Sequence, residues 1–252
     1  MIHELTSLAQ VRAACGDDDL LMWAAQGLRP GARAWALGDA VVTAAPDLAR
    51  RDRLAVSGST ANAAPLVRHA LAELGPAYRP LAETRTLAEV AAKVDGMEVA
   101  GEFSWMSLPP EPSVPVPDDT LEVGWLSGEV TPEVTALLTD FAPESYAVPG
   151  AVGVTRWAGL RVDGKLAAVA ADAWSAPDVG LLAGVATAGP FRGRGLGERV
   201  CRWVSRELVH AYGRAALMVD DDNGAALGVY TRIGYTRRRI AAAGLNPPHP
   251  GR

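Results

Sequence analysis

Apolar residues along this chain recur at two spacings, one near two and one near three and a half, and the switches between them lay out alternating strands and helices. Asp18 to Gln26 is a short apolar helix candidate closed by Gly27, and Arg33 to Thr43 reads as strand, Gly38-Asp39 turn, strand. Leu54 to Ser57 is another strand. Ser59 or Thr60 can cap a helix running through Leu74, with Leu66, Val67, Ala70, Leu71 and Leu74 on one face and Gly75-Pro76 as its stop. Thr86 and Glu89 have the spacing of a capping box for a second helix carrying Leu87, Val90 and Val94. Glu98 to Met106 is the last strand of this half.

A stretch of different composition follows. Residues 108 to 119 hold five prolines, which exclude both helix and central strand, so the segment should run extended as a linker. It divides the chain into a domain over 1–120 and a second over 121–252. Beyond it, Leu121 to Leu126 reads as a strand, and Thr131-Pro132-Glu133 starts a helix with Val134, Leu137, Leu138 and Phe141 inward. Val154 to Val162 and Lys165 to Asp172 form a hairpin on Asp163-Gly164, a pair suited to a type I′ turn. Ala215 to Val219 is a strand, Asn223 caps a helix ending at Gly234, and Tyr235 to Ile240 closes the chain's last strand. The fold class is α/β, a mixed sheet with helices on both faces.

The densest chemistry lies where an apolar strand ending in Val185-Ala186-Thr187 meets Gly189-Pro190-Phe191-Arg192-Gly193-Arg194-Gly195-Leu196-Gly197 and then Glu198. From Leu196, apolar residues at Val200, Trp203, Val204, Leu208 and Ala211 keep helical spacing. Glycines at alternate positions free the backbone and clear every Cβ from the path of a ligand. Main-chain N–H groups at the start of a helix, with Arg192 and Arg194 nearby, suit an anion of the phosphate type. A Walker loop would need Lys and then Ser or Thr where Glu198 and Arg199 stand, and the dinucleotide fingerprint needs a different glycine spacing.

What fits is Arg-x-x-Gly-x-Gly, filled by Arg192, Gly195 and Gly197. That loop resembles the acetyl-coenzyme A loop of the GCN5-related N-acetyltransferases, and Asn223, Ala226, Tyr230 and Gly234-Tyr235 resemble the family's second signature. The first half has the order of a worn acetyltransferase half, similar to the two-domain, glycine N-acyltransferase-like branch. Its Gly58-Ser59-Thr60 turn lacks the arginine and the glycine spacing, so no coenzyme is expected there.

Composition narrows the setting. The chain of 252 residues has a formal charge of −5, and the acidity belongs to the first half, with 16 acidic and 10 basic residues up to Thr120 against 13 and 14 afterwards. An acidic surface of this kind argues against a nucleic-acid partner. There is no unbroken apolar run of membrane length and no basic leader before an apolar core, which points to a cytoplasmic protein that does not enter a membrane. Cys15 and Cys201 are too few for a disulfide framework or a thiolate zinc site. A homodimer is left open.

The resemblance implies acetyl transfer from acetyl-coenzyme A straight to an amine. Pantetheine would pair with the main chain of Val185, Ala186 and Thr187, and pyrophosphate would rest on Arg192 to Glu198, that is on Arg192, Gly193, Arg194, Gly195, Leu196, Gly197 and Glu198. An N–H at Val185 would face the thioester oxyanion. Tyr230 falls where the family's phenol protonates the leaving thiolate, or else it packs its helix on the sheet. Asn223 hydrogen-bonds the pantetheine, caps its helix, or both. No carboxylate lies between Val179 and Thr187, so the amine's proton goes to water or to a residue elsewhere, with Asp172, Asp178, Glu144 and Tyr146 as candidates that read more readily as ordinary surface positions. The acceptor expected is a small-molecule or amino-acid-like primary amine. A protein N-terminus or lysine, and an acyl-coenzyme A-binding regulator without catalysis, are the alternatives.

Overall fold

A computed structural model describes residues 1–110, 122–127 and 131–245. In chain order its elements are β1 (His3–Glu4), α1 (Leu8–Cys15), α2 (Asp19–Ala25), β2 (Arg33–Leu37), β3 (Ala40–Leu48), β4 (Arg51–Ser57), α3 (Thr60–Leu74), β5 (Arg79–Glu83), α4 (Thr84–Ala91) and β6 (Met97–Leu108). They continue with β7 (Val123–Trp125), α5 (Thr131–Phe141), β8 (Val154–Val162), β9 (Lys165–Ala173), β10 (Gly180–Thr187), α6 (Leu196–Tyr212), β11 (Ala215–Val219), α7 (Gly224–Ile233) and β12 (Thr236–Leu245). The architecture is mixed α/β. Most of the Pro-rich segment expected as a linker lies outside the described residues.

Two compact units form, one of residues Met1–Trp105 with Arg238–Arg252, the other Met106–Arg237. This division differs from a cut at residue 120. The tail belongs with the first unit because β12 pairs antiparallel with β5, Ile240 opposite Glu83 and Ala241 opposite Ala82, while Ala241 and Ala243 are buried in the first unit's core. Conversely Met106 and Leu108, at the end of β6, are buried in the second unit's core.

In the first unit β2, β3 and β4 are antiparallel neighbours and β5 is parallel to β4, with α3 as the crossover. Leu66, Val67, Ala70 and Leu71 of α3 are buried as their spacing predicts. Two helix starts differ from the sequence reading. α4 begins two residues before Thr86 and is capped by Glu83, whose carboxylate accepts the Thr86 N–H at 3.0 Å, so Glu89 is free to bond Thr60 and Arg85 instead of closing a box with Thr86. Ser59 stands at the α3 N-cap, but its side chain makes no bond to the helix. Its N–H and hydroxyl both donate to Asp39, at 2.8 Å each, and Asn62 Nδ2 donates to the same carboxylate at 2.7 Å.

The second unit repeats the pattern. β7, β8, β9 and β10 are antiparallel neighbours, and β11 is parallel to β10 with α6 as crossover. Asp163 (φ 49°) and Gly164 (φ 75°) turn the β8–β9 hairpin with both residues left-handed, as a type I′ turn requires. Val134, Leu137 and Leu138 of α5 are buried, Phe141 is half-buried, and Thr131 stands inside the helix. The apolar stripe of α6 is buried at Val200, Val204 and Leu208, but Ala211 on its last turn is exposed. Among the described residues no helix is long and apolar enough to cross a membrane, and both cysteines are free.

The Asp39 cluster makes a pH prediction. Hydrogen bonds from Asn62, then the Ser59 hydroxyl and N–H, lower its carboxyl to about 2. A carboxyl whose value falls on folding adds stability above its unfolded value of about 3.9, and loses it as pH falls through the folded value. Denaturant unfolding of wild type and Asp39→Asn should therefore differ most above pH ~4 and converge towards pH ~2. A constant difference across that window would show that the carboxylate charge is not what holds the turn.

Candidate active site

The site is organised by the way β10 leaves β11. Their parallel pairing covers Gly180, Leu181 and Leu182, opposite Ala215, Ala216 and Leu217, while β10 runs on to Thr187 with β9 as partner. The β9–β10 register shifts between Ala183 and Ala186, around Gly184 at φ +61°. That angle strains any residue with a Cβ, and a Cβ here would lie 2.5 Å from the Trp157 ring. Beyond the bulge, the Ala188 N–H donates to Ala167 of β9 at 2.9 Å. Alternation along a strand then turns the N–H and C=O of Ala186 towards β9 and those of Val185 and Thr187 the other way, to the edge that β11 has left open.

The strand delivers the chain into a tight turn over Gly189–Phe191 and then into α6. Gly193 and Gly195 are left-handed at φ 73° and 74°, and a Cβ at either would meet nothing within 4 Å, so the loop's surface is open main chain. Gly195 is the N-cap of α6 and supplies no side-chain cap, which leaves the first-turn amides of Leu196, Gly197 and Glu198 without a capping partner. Such an end attracts anions. Gly197 serves contact instead, since a Cβ there would lie 2.7 Å from Thr187 Oγ1. Leu196 is buried in the core and contributes main chain only.

The charged residues of the loop divide their work in a way that spacing did not reveal. Arg192 donates from Nε to Thr187 O at 3.2 Å and from Nη2 to Phe141 O at 3.1 Å, so it ties the end of α5 to the end of β10. Arg194 is exposed, its guanidinium 5.6 Å from the Phe191 ring centroid. Glu198 would repel an anion, but its two oxygens are held at 2.8 Å by Arg202 and by Arg232. Burial raises its pKa, and those two guanidinium partners outweigh that, leaving the carboxyl below its usual range.

Asn223 caps α7, its Oδ1 accepting the Ala226 N–H at 3.1 Å. Tyr230 of α7 is buried, with its ring 6.0 Å from that of Tyr235. Tyr235 shares a hydrogen bond of 2.8 Å with Ser205, whereas the Tyr230 hydroxyl has no hydrogen-bond partner among the described residues. Burial first, then Cys201 and Tyr235, pushes the Tyr230 phenol well above its ordinary value, so it is protonated throughout the physiological range. Cys201 is buried too, and burial pushes its thiol up to about 12, which removes the thiolate that an acyl carrier would need.

Of the remaining candidates, Glu144 and Tyr146 are exposed. Asp172 is fully buried and engaged: Oδ2 accepts Arg156 Nε at 3.2 Å and the Tyr212 hydroxyl at 3.1 Å, while Oδ1 accepts Ser175 Oγ at 2.6 Å. Ser175 in turn accepts the Leu181 N–H at 2.8 Å. This network anchors the start of β10. Sequence reasoning passed over Gly184 and Trp157; a glycine inside an apolar strand was the available signal.

The Gly197 contact is testable. Gly197→Ala should destabilise the protein by about 1–2 kcal/mol in urea, the crowding cost exceeding the gain in helix propensity. Thr187→Ala in the same chain should relieve most of that loss. A single substitution without cost would mean that α6 does not rest on β10 at this point.

Residues 158–242, from β8 to β12, match the family model described as FR47-like protein. No curated protein matches the chain. Among solved structures, a GNAT-family protein from Novosphingobium aromaticivorans DSM 12444 is 25% identical, with 84% of this chain and 91% of that one covered at a TM-score of 0.55. A GCN5-related N-acetyltransferase from Kribbella flavida is 22% identical over 89% and 93% of the two chains, with a TM-score of 0.58. Another, from Sphaerobacter thermophilus, shares the fold over 98% and 96% at 13% identity and a TM-score of 0.56. With the open edge of β10, the glycine loop and the start of α6 arranged in this way, the chain is similar to the GCN5-related N-acetyltransferases and shares their fold, which supports an acyltransferase.

Proposed function

We propose that the second unit binds acetyl-coenzyme A and transfers its acetyl group directly to a primary amine of a small, amino-acid-like molecule. The observation that carries this reading is the open β10 edge leading straight into uncapped first-turn amides of α6. A pantetheine arm carries amides of its own, so it can complete the edge at Val185 and Thr187 as a missing strand would. Its pyrophosphate then falls on the amides of Gly193 to Glu198, with Arg194 as the exposed cation. Arg192 acts mainly by holding Thr187 and Phe141 in place. Asn223 positions α7 through its cap.

In the transfer, the acceptor nitrogen attacks the thioester carbon, a C–N bond forms, the C–S bond breaks, and the proton that the nitrogen loses passes to water. The charge on oxygen is met by the Val185 N–H, and the leaving thiolate by the Tyr230 hydroxyl. A phenol held well above its ordinary value is a weak acid, so it acts first as a hydrogen-bond donor to sulfur and gives up its proton as the negative charge develops. The buried, high-valued thiol of Cys201 fits direct transfer rather than an acyl-cysteine. The first unit has the same strand and helix order, and we read it as a worn copy that binds no coenzyme. Its β4-to-α3 turn is only Gly58 and Ser59, and Asp39 already occupies the donors there.

Calorimetry with the full chain should show acetyl-coenzyme A binding with a Kd in the low-micromolar range, about −8 kcal/mol. Absence of binding would overturn the reading. The full chain is the right material, since a fragment from Leu121 lacks Met106 and Leu108 of its own core. Gly195→Leu should abolish binding, through both strain at φ 74° and obstruction of the cradle. Arg192→Ala should weaken binding by roughly 1–3 kcal/mol and also lower the melting temperature, because its bonds are to main chain. Tolerance of both changes would place the anion elsewhere.

Tyr230→Phe keeps the ring and removes only the donor. Melting temperature and coenzyme affinity should barely move, while kcat should fall by about 10²–10⁴-fold, with kcat/KM following, in transfer or in slow thioester hydrolysis. In wild type this phenol should give no alkaline limb below pH ~10. An unchanged rate where chemistry limits turnover would leave Tyr230 a packing residue.

A further inference from the structure

The bulge of β10 has a neighbour whose place in the site the family resemblance leaves unassigned. Trp157 of β8 is only 6% exposed, and a Cβ on Gly184 would lie 2.5 Å from its Cη2, 2.8 Å from its Cζ3 and 3.1 Å from the Ala147 Cβ. The six-membered edge of the indole is therefore packed on bare main chain at the one point where β10 changes register. The indole nitrogen is buried and has no hydrogen-bond partner among the described residues, whereas Trp125 donates to Glu207 at 3.3 Å and Trp174 to Val152 O at 2.9 Å. A phenylalanine or leucine would fill apolar space without burying an unpaired N–H, which costs stability. The bulk of the indole is what this position keeps.

We propose that Trp157 sets the acyl-chain length, closing the space beyond the thioester so that acetyl fits and longer chains do not. The proposal rests on the coenzyme reading above. Pyrophosphate at Gly193–Gly197 and pantetheine along Thr187 and Val185 bring the thioester to the Gly184 bulge, and the chain on its carbonyl carbon then runs towards the indole edge and Ala147. Each further methylene has to displace a ring wedged against backbone. Packed interiors resist such displacement, and one methylene too many in a rigid pocket discriminates by about 10–200-fold. No side-chain hydrogen bond of Trp157 among the described residues is lost on substitution, so a smaller side chain here acts by removing volume.

The test is calorimetry and thioester hydrolysis by the full chain with free coenzyme A, acetyl-coenzyme A, butyryl-coenzyme A and hexanoyl-coenzyme A. Wild type should bind hexanoyl-coenzyme A at least about tenfold more weakly than acetyl-coenzyme A. Trp157→Leu should bring the two within about threefold, each read against that variant's own affinity for free coenzyme A. If the leucine variant does not fold, Trp157→Phe, which keeps an aromatic ring in the core, should admit butyryl-coenzyme A. Equal binding of all thioesters by wild type, or an unchanged ratio in a folded variant, would overturn this proposal alone. Failure of every form to bind free coenzyme A would overturn the coenzyme reading and this proposal with it.

Discussion

The separation of β10 from β11 after three paired residues is the constraint on which the rest of the second unit depends. Parallel pairing left to itself would continue, because every further residue satisfies main-chain donors and acceptors. It stops because Gly184 is left-handed and the Trp157 ring fills the space where a Cβ would be. The strand slips one position against β9, and the groups of Val185 and Thr187 face an edge with no strand on it. An open edge is a liability in a soluble protein, and it is normally blunted or covered. Here it is short, and Arg192 caps its last carbonyl. What stays available is a segment about as long as one extended ligand arm.

The two units set out the same strand, strand, helix, strand order with opposite outcomes at the helix start. In the second, eight residues separate β10 from α6, and two left-handed glycines keep side chains off the loop. In the first, Gly58 and Ser59 alone join β4 to α3, and the Gly38-Asp39 turn packs against them so closely that a Cβ on Gly58 would lie 2.4 Å from Ala40 Cα. Asp39 then accepts from Ser59 and Asn62 as a bound anion would. One carboxylate does internally what a phosphate would do from outside, and the low value of its carboxyl reflects the same donors.

Much of this was legible in the chain. The glycine loop, the Asp163-Gly164 turn, the Asn223 cap and the inward faces of α3 and α6 follow from local rules that need no partner. What was not legible depends on residues far apart in sequence. Arg192 reads as a phosphate ligand beside Gly193, and only the approach of Phe141, 51 positions earlier, makes it a clamp. Thr86 and Glu89 have box spacing, but Glu83 reaches the Thr86 N–H first and starts the helix earlier. The return of β12 to β5 is also non-local, since its apolar residues satisfy either unit by pattern alone. Register, too, is set by the bulge at Gly184, and a bulge is a contest between packing and pairing that composition does not record.

The two ends of β10 are built for opposite purposes. At its start the Leu181 N–H is bound by Ser175, Ser175 by Asp172, and Asp172 also by Arg156 and Tyr212, while the Gly180 N–H reaches Arg214 O at 2.9 Å. A fully buried carboxylate is tolerable only when both oxygens are satisfied, and removing one partner from a buried charge of this kind typically costs about 3–5 kcal/mol. Asp172 therefore works as an anchor, with both of its oxygens engaged. The rigidity it confers has a use further along the strand. An arm that adds itself to Val185 and Thr187 gains affinity only if those groups are already in place, since ordering them on binding would offset part of each new hydrogen bond. Fixing the first half of β10 by a buried polar network leaves the second half both open and aligned.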